Sequence, residues 1–188
     1  MATSKTSTYN GTPIHFKCLK CGHCCRSLIN EAEGILYGLT LTPEEAKLFP
    51  QNKISPYLGA GHSEKEITRI MMYQLNTATC PNLENNICRI YDKRPTVCAQ
   101  FPLTSNTGGI SQIASGEACR FIGYLEDKLK EKLDFVFSKS TFVDDGCWAA
   151  LATEIGYLHN KIIEIEIEQL NIFIYNLKTL KWQIYSPF

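Results

Sequence analysis

Four cysteines occupy eight positions in CLKCGHCC, residues 18 to 25, and two of them, Cys24 and Cys25, are adjacent. A Cys-x2-Cys step lets two thiolates converge on one ion, because the intervening turn points both sulfurs inward. Here the step occurs twice, from Cys18 to Cys21 and from Cys21 to Cys24. Four more cysteines follow at Cys80, Cys88, Cys98 and Cys119, whereas the ninth, Cys147, stands apart. Neighbouring side chains diverge unless the backbone turns sharply, so Cys24 and Cys25 are expected to face two sites. The eight thiols then divide into two sets of four, or into one four-thiol site with four further cysteines around it.

A disulfide framework is the competing explanation. Residues 1–17 are polar and lack the apolar stretch of a secretory signal, and no run of about 18 apolar residues follows. The expectation is a cytoplasmic protein without a membrane span, in which thiols stay reduced; nine cysteines, an odd number, then point to metal or redox chemistry. With 188 residues, 44% apolar and 20% charged, the chain can bury one core, and a single domain over 1–188 is expected. Nineteen basic and nineteen acidic residues cancel, which gives no electrostatic reason to expect nucleic acid.

Four thiolates around Zn²⁺ or a [4Fe-4S]²⁺ core carry a net charge of about −2 that a buried site must offset. Of five arginines, Arg26, Arg89 and Arg120 each directly follow a cysteine, and Arg94 lies four residues before Cys98. These four are the candidates for holding the cofactor's charge. In IYDKRPTVCAQFP, residues 90–102, Pro95 suits a first helical turn, so Cys98 is expected near the start of a short helix ending before Pro102. Backbone amides there would favour a thiolate.

Strands are expected at 34–41 and 65–75, with a helix over 43–49 between them, opened by the capping box of Thr42 and Glu45 with Pro43 at its first position. CPNLENNIC, 80–88, reads as a tight loop in which Asn85-Asn86 accepts positive φ. From Cys119, the residues Phe121, Leu125, Leu129, Leu133 and Phe137 recur every fourth position, with Glu126 and Lys130 paired on a more exposed face, which predicts a helix. A second helix, capped by Asp144 or Asp145, is expected to bury Trp148, Leu151, Ile155, Leu158, Ile162 and Ile165, although IIEIEIE at 162–168 also alternates like a strand. A terminal hairpin turns around 176–179. The resulting fold class is α+β: a small, irregular cysteine-rich metal-binding core at 16–120 with short strands, packed against two C-terminal helices and a terminal β-hairpin at 121–188.

The pattern Phe16-x-Cys18-x2-Cys21-Gly22-x-Cys24-Cys25, then Cys80, Cys88 with Ile90-Tyr91, Arg94-Pro95, Cys98 and Phe101-Pro102, resembles the YkgJ-type cysteine-cluster family of zinc- or iron-chelating proteins. The resemblance covers about 16–120 and implies metal binding through these cysteines; Cys119 fits the family's last, more variable cysteine less closely. Three x2-spaced thiols with a remote fourth have the spacing of a ferredoxin-type [4Fe-4S] site, and Cys80-Pro81 is similar to the Cys-Pro that closes one. Structural zinc accepts the same steps. Repeated x2 spacing and adjacent cysteines tilt the reading toward iron–sulfur, with zinc still open.

Three functions follow. The first is a metal-binding protein whose centre transfers electrons, handles metal or senses redox state. The second is a cluster-dependent protein-modifying enzyme, by analogy with flagellin lysine methylases that share the signature. Against it stand the short chain, the lack of a Gly-x-Gly cofactor loop after a predicted strand, and the absence of Cys-x3-Cys-x2-Cys. The third is a structural zinc module for protein contacts, so a protein partner stays open beside the metal ions. Cys147, beside Trp148, reads as a small buried hydrophobe. His23 reads as a loop residue, and His15, His62 and His159 show no ligand spacing.

Overall fold

The computed structural model describes residues 14–15, 18–105, 111–113, 119–129, 142–143 and 146–185. After β1 (Ile14–His15), the cysteine loop leads into a small hairpin of β2 (Asn30–Ala32) and β3 (Ile35–Tyr37), then into β4 (Thr40–Leu41). The strand expected at 34–41 is therefore divided. At Gly38 an added Cβ would collide with the carbonyl oxygen of Leu75, so the chain crosses there only without a side chain.

Helix α1 (Pro43–Ala46) opens as its sequence dictates: Thr42 N donates to Glu45 Oε2 at 2.8 Å, and Glu45 N donates to Thr42 Oγ1 at 3.3 Å. It is shorter than the expected 43–49. Next come β5 (Ile54–Ser63) and β6 (Glu66–Leu75), an antiparallel pair at the heart of a five-stranded sheet. β6 matches the expected strand. β5 was hidden by Pro56, Gly59 and Gly61, residues that strands accept where the ladder is irregular; its register against β6 shifts at four places.

A second small hairpin, β7 (Leu83–Glu84) with β8 (Ile87–Cys88), turns at Asn85 and Asn86 with φ of 48° and 66°, the positive values expected there. Helix α2 (Thr96–Gln100) follows Pro95 and stops before Pro102, also as expected. β9 (Leu103–Ser105) pairs with β10 (Ser111–Ile113), and α3 (Arg120–Leu129) covers the described part of the first periodic helix. Its expected continuation through Lys130, Leu133 and Phe137 lies outside the described residues.

β11 (Phe142–Val143) pairs in parallel with β1, and α4 (Cys147–Ile167) follows. The expected Asp144 or Asp145 cap lies outside the described residues; the residue at the cap position is Gly146, at φ 98°, with no side-chain capping bond. α4 stays helical through the segment that alternates like a strand. Ile165 is buried against Ala60 and Met71, and Glu164 and Glu168 both face Arg69, a spacing that only a helix gives. Leu151 and Ile165 are buried as expected, but Ile155 and Ile162 are 37% and 41% exposed.

The chain ends in β12 (Asn171–Asn176) and β13 (Lys181–Ile184), the expected hairpin. It is built into the sheet: β12 pairs with β5, and the strand order is β13-β12-β5-β6-β4. Two buried amides fasten this arrangement. Gln74 accepts from Gly38 N at 2.8 Å and donates to the carbonyls of Pro56 at 2.7 Å and Tyr175 at 3.0 Å. Asn176 accepts from Leu36 N at 3.2 Å and donates to Gly34 O at 3.1 Å, tying β3 to the terminal hairpin. Leu28, Leu41, Ala46, Phe49, Leu75 and Cys80 form the core cluster beneath the cysteine loop. The fold is mixed α and β with short strands, and among the described residues no helix is long and apolar enough to cross a membrane.

Candidate metal centre

The cysteine loop is bent by Gly22, whose φ is +67°. Two overlapping turns follow, with Cys25 N donating to Gly22 O at 3.2 Å and Arg26 N to His23 O at 2.9 Å. This sharp turn overrides the divergence expected of adjacent side chains: the sulfurs of Cys24 and Cys25 are 4.0 Å apart. Four sulfurs ~2.3 Å from one zinc would lie about 3.8 Å from each other, so this spacing suits ligands of one ion.

Backbone hydrogen bonds carry the next cysteine to the loop. Cys80 N donates to Cys25 O at 2.8 Å, and Leu28 N donates to Ala78 O at 3.0 Å. From Cys80 the chain turns, Leu83 N donating to Cys80 O at 3.1 Å, and the β7–β8 hairpin pairs Cys88 opposite Leu83. The hairpin tip rests on Gly22, where an added Cβ would lie 2.8 Å from Arg26 Nη1, 3.1 Å from Leu83 Cδ1 and 3.3 Å from Asn86 Cα. Arg26 locks the contact by donating to Cys21 O at 3.2 Å and to Asn86 Oδ1.

Cys98 stands on α2, third in the helix. Two of the amides in its first turn, expected to favour the thiolate, are committed elsewhere. Thr96 N donates to Glu45 Oε1 at 2.7 Å and Cys98 N to Pro95 O at 2.9 Å. Burial pushes the Cys98 thiol well above the ordinary range, and the neighbouring Cys25, Cys80, Cys88 and Glu45 push it further. Glu45 escaped sequence reading as a site residue: its place in the capping box was legible, but its reach across to Thr96 was not.

The other thiols report the same crowding. Cys80 is raised by burial, opposed by the Asn82 amide, and raised again by Cys25 and Cys88. Cys88 is raised by burial and by Cys25 and Cys18, while the Ile90 amide and Arg94 work the other way. Cys119 is raised by burial, against the Ile122 and Phe121 amides, with Cys21 and Cys18 adding to the rise. Cys24 and Cys25 share a hydrogen bond that raises Cys24 and, with Arg26 assisting, lowers Cys25 to about 7. Cys25, Cys80, Cys88 and Cys98 thus act on one another and Cys119 is acted on by Cys21 and Cys18, while Cys18 also reaches Cys88. Cys24 faces Cys18 as well as Cys25 and Cys98.

The four arginines are placed unequally. Arg26 joins the cysteine loop to the hairpin, and Arg94 stacks over Tyr91 at 4.1 Å, its buried Nε without a hydrogen-bond partner among the described residues. Arg89 pairs with Glu84 at 3.3 Å on the exposed hairpin, and Arg120 is exposed at the first position of α3. None of the nine cysteines forms a disulfide. Cys147 is 1% exposed, as its neighbour Trp148 suggested, with its sulfur 3.5 Å from Phe101 O. Among the described residues no three Cys, His, Asp or Glu side chains are already closed into a coordination sphere. The donor set is nonetheless suited to zinc or iron: it is sulfur throughout, and thiols such as Cys80, Cys88, Cys98 and Cys119, raised first by burial, are those a cation would ionise.

A family model matches residues 17–121, a span that contains all eight clustered cysteines. The chain belongs to this family, CxxCxxCC, described as a "Putative zinc- or iron-chelating domain", and membership supports metal binding. No curated protein and no solved structure matches the chain.

Proposed function

We propose that this protein holds metal in two four-thiol sets and uses it for one-electron redox chemistry. The first set is Cys25, Cys80, Cys88 and Cys98; the second is Cys18, Cys21 and Cys119, completed by Cys24. The observation that carries the proposal is the bond from Cys80 N to Cys25 O at 2.8 Å, which joins two cysteine-bearing segments, beside a Cys98 thiol that Cys25, Cys80 and Cys88 all push up. An iron–sulfur cluster bound there would supply reversible electron transfer. Arg26 beside Cys25 and Arg94 beside Cys88 offset the negative charge of the loaded first set. Arg89 and Arg120, both exposed, serve as peripheral charges. Leu19, Ile87 and Tyr91, exposed near these ligands, fit a protein partner for the electron.

A second reading has its own support. The 4.0 Å separation of the Cys24 and Cys25 sulfurs matches two ligands of one zinc ion, which would make the site a structural zinc module and would place both cysteines in one set. Reduction of the anaerobically purified protein decides between the two. A reversible change in visible absorbance supports electron transfer, whereas a colourless protein that unfolds on chelation supports structural zinc.

A further inference from the structure

A cavity of about 220 Å³ lies beside α2's first turn, lined from α1, α2, α4 and the sheet edge. Its walls come from Thr40, Thr42 and Glu45, from Met72, from Thr96 and Val97, and from Thr153, Glu154 and Tyr157 of α4. At ~30 Å³ per water it has the room of about seven waters, enough for a small organic molecule.

Most polar groups on these walls are acceptors; the exceptions are the Thr40 hydroxyl and the Thr42 hydroxyl, which accepts from Glu45 N and keeps its own hydrogen. Glu45 and Glu154 are carboxylates and can only accept hydrogen bonds when ionised. The hydroxyl hydrogens of three further groups are already committed: Thr96 Oγ1 donates to Glu45 Oε1 at 2.6 Å, Thr153 Oγ1 to Ala149 O at 2.9 Å, and Tyr157 Oη to Met71 O at 2.8 Å. What remains on those three oxygens is lone pairs. The Thr96 amide is likewise committed, to Glu45. Immediately behind Glu154, Gln100 donates Nε2 to its Oε2 at 2.7 Å and keeps a buried Oε1 with no partner among the described residues, one more acceptor.

Such a wall carries more acceptors than donors and favours a donor. Among the described residues Glu45, half-buried, is met by neutral donors: the Thr42 and Thr96 amides and the Thr96 hydroxyl. Among the described residues the lining includes no lysine, arginine or histidine. Met72, Val97 and the Tyr157 ring supply apolar surface beside these acceptors, and an aromatic ring is itself a favourable neighbour for a cation. We propose that this cavity binds a small primary amine in its ammonium form. Glu45 is the charge partner, the Thr96 and Thr153 oxygens receive its remaining hydrogens, and its short aliphatic body lies on Met72 and Val97. This assignment does not depend on metal at the cysteines.

The test is titration of n-butylammonium chloride into the isotope-labelled full chain, followed by the amide signals of Glu45, Thr96, Thr153 and Tyr157, with 1-butanol and sodium butyrate as controls. Saturable shifts are expected with the amine and none with butyrate, and butanol should bind at least about tenfold more weakly for want of charge. Glu45→Gln should weaken amine binding by about tenfold or more. Because Glu45 also caps two helices, Thr153→Met, an exposed change at the rim, serves as the second variant; it narrows the cavity and should weaken binding while the fold is kept. No saturation with the amine, equal binding of butyrate or butanol, or unchanged amine binding in both variants would overturn the assignment.

Discussion

The backbone amide of Cys80 donates to the carbonyl oxygen of Cys25 at 2.8 Å, although the two residues are separated by more than fifty positions in the chain. This bond brings the cysteine loop against the segment that turns into the β7–β8 hairpin. The proposed first set follows from it: Cys25 and Cys80 are joined through their backbones, Cys88 lies on the hairpin that continues from Cys80, and Cys98 is carried by α2.

Serine substitution should therefore separate the two sets. Cys98→Ser or Cys80→Ser is expected to remove the metal of the first set and leave that of the second; Cys119→Ser should do the reverse. Each variant should keep about half the metal of the unaltered chain, as two equivalent four-thiol sites require. Cys147→Ser should keep all of it, and total loss from every variant alike would refute the division.

Gly22→Ala tests the docking of the loop on the hairpin. The substitution strains a φ of +67° and drives a methyl group into Arg26 and Leu83. Left-handed backbone alone costs about 1–2 kcal/mol. Lower thermal stability and faster loss of metal to a chelator are expected, and unchanged chelator kinetics would show that the turn does not position the thiols.

The pH dependence of the metal-free chain follows from its buried thiols. Folding raises Cys80, Cys88, Cys98 and Cys119 above the ordinary thiol value of 9.0. The unfolded chain then releases protons first as pH rises. The stability these four thiols contribute is fully present below 9.0 and is lost progressively above it, toward their raised values in the folded chain. Metal must expel the same protons, so its retention should weaken as pH falls. Denaturation midpoints measured across this range should drop on the alkaline side for the metal-free protein; a midpoint that rises there would contradict the account.

Gln74→Leu addresses the sheet. The change leaves Gly38 N, Pro56 O and Tyr175 O without their partner in a fully buried place. At about 1–3 kcal/mol for each unsatisfied group, the expected loss is at least about 3 kcal/mol in chemical denaturation. A loss below about 1 kcal/mol would mean that the three groups find other partners.

What was legible in the sequence was local. The Thr42–Glu45 capping box, the Asn85-Asn86 turn, strand β6, the short helix under Cys98 and the terminal hairpin all arise from residues a few positions apart. What was hidden depends on distant segments. β5 carries proline and glycine because its ladder is irregular, Glu45 reaches Thr96 across 51 residues, and Asn176 serves strands far from its own hairpin. The closeness of Cys24 and Cys25 was also hidden, since it hangs on a positive φ at Gly22 that the hairpin tip stabilises. α4 resisted its alternating tail because Ile165 packs on the sheet while two glutamates one helical turn apart share Arg69.

The most direct test is metal and acid-labile sulfide quantification on the anaerobically purified chain, beside its Cys98→Ser variant. The account predicts iron and sulfide in equal amounts, about four of each per four-thiol set, with roughly half lost in the variant. A chain that emerges without bound metal when iron and zinc are supplied, or a variant that keeps its full complement, would contradict it.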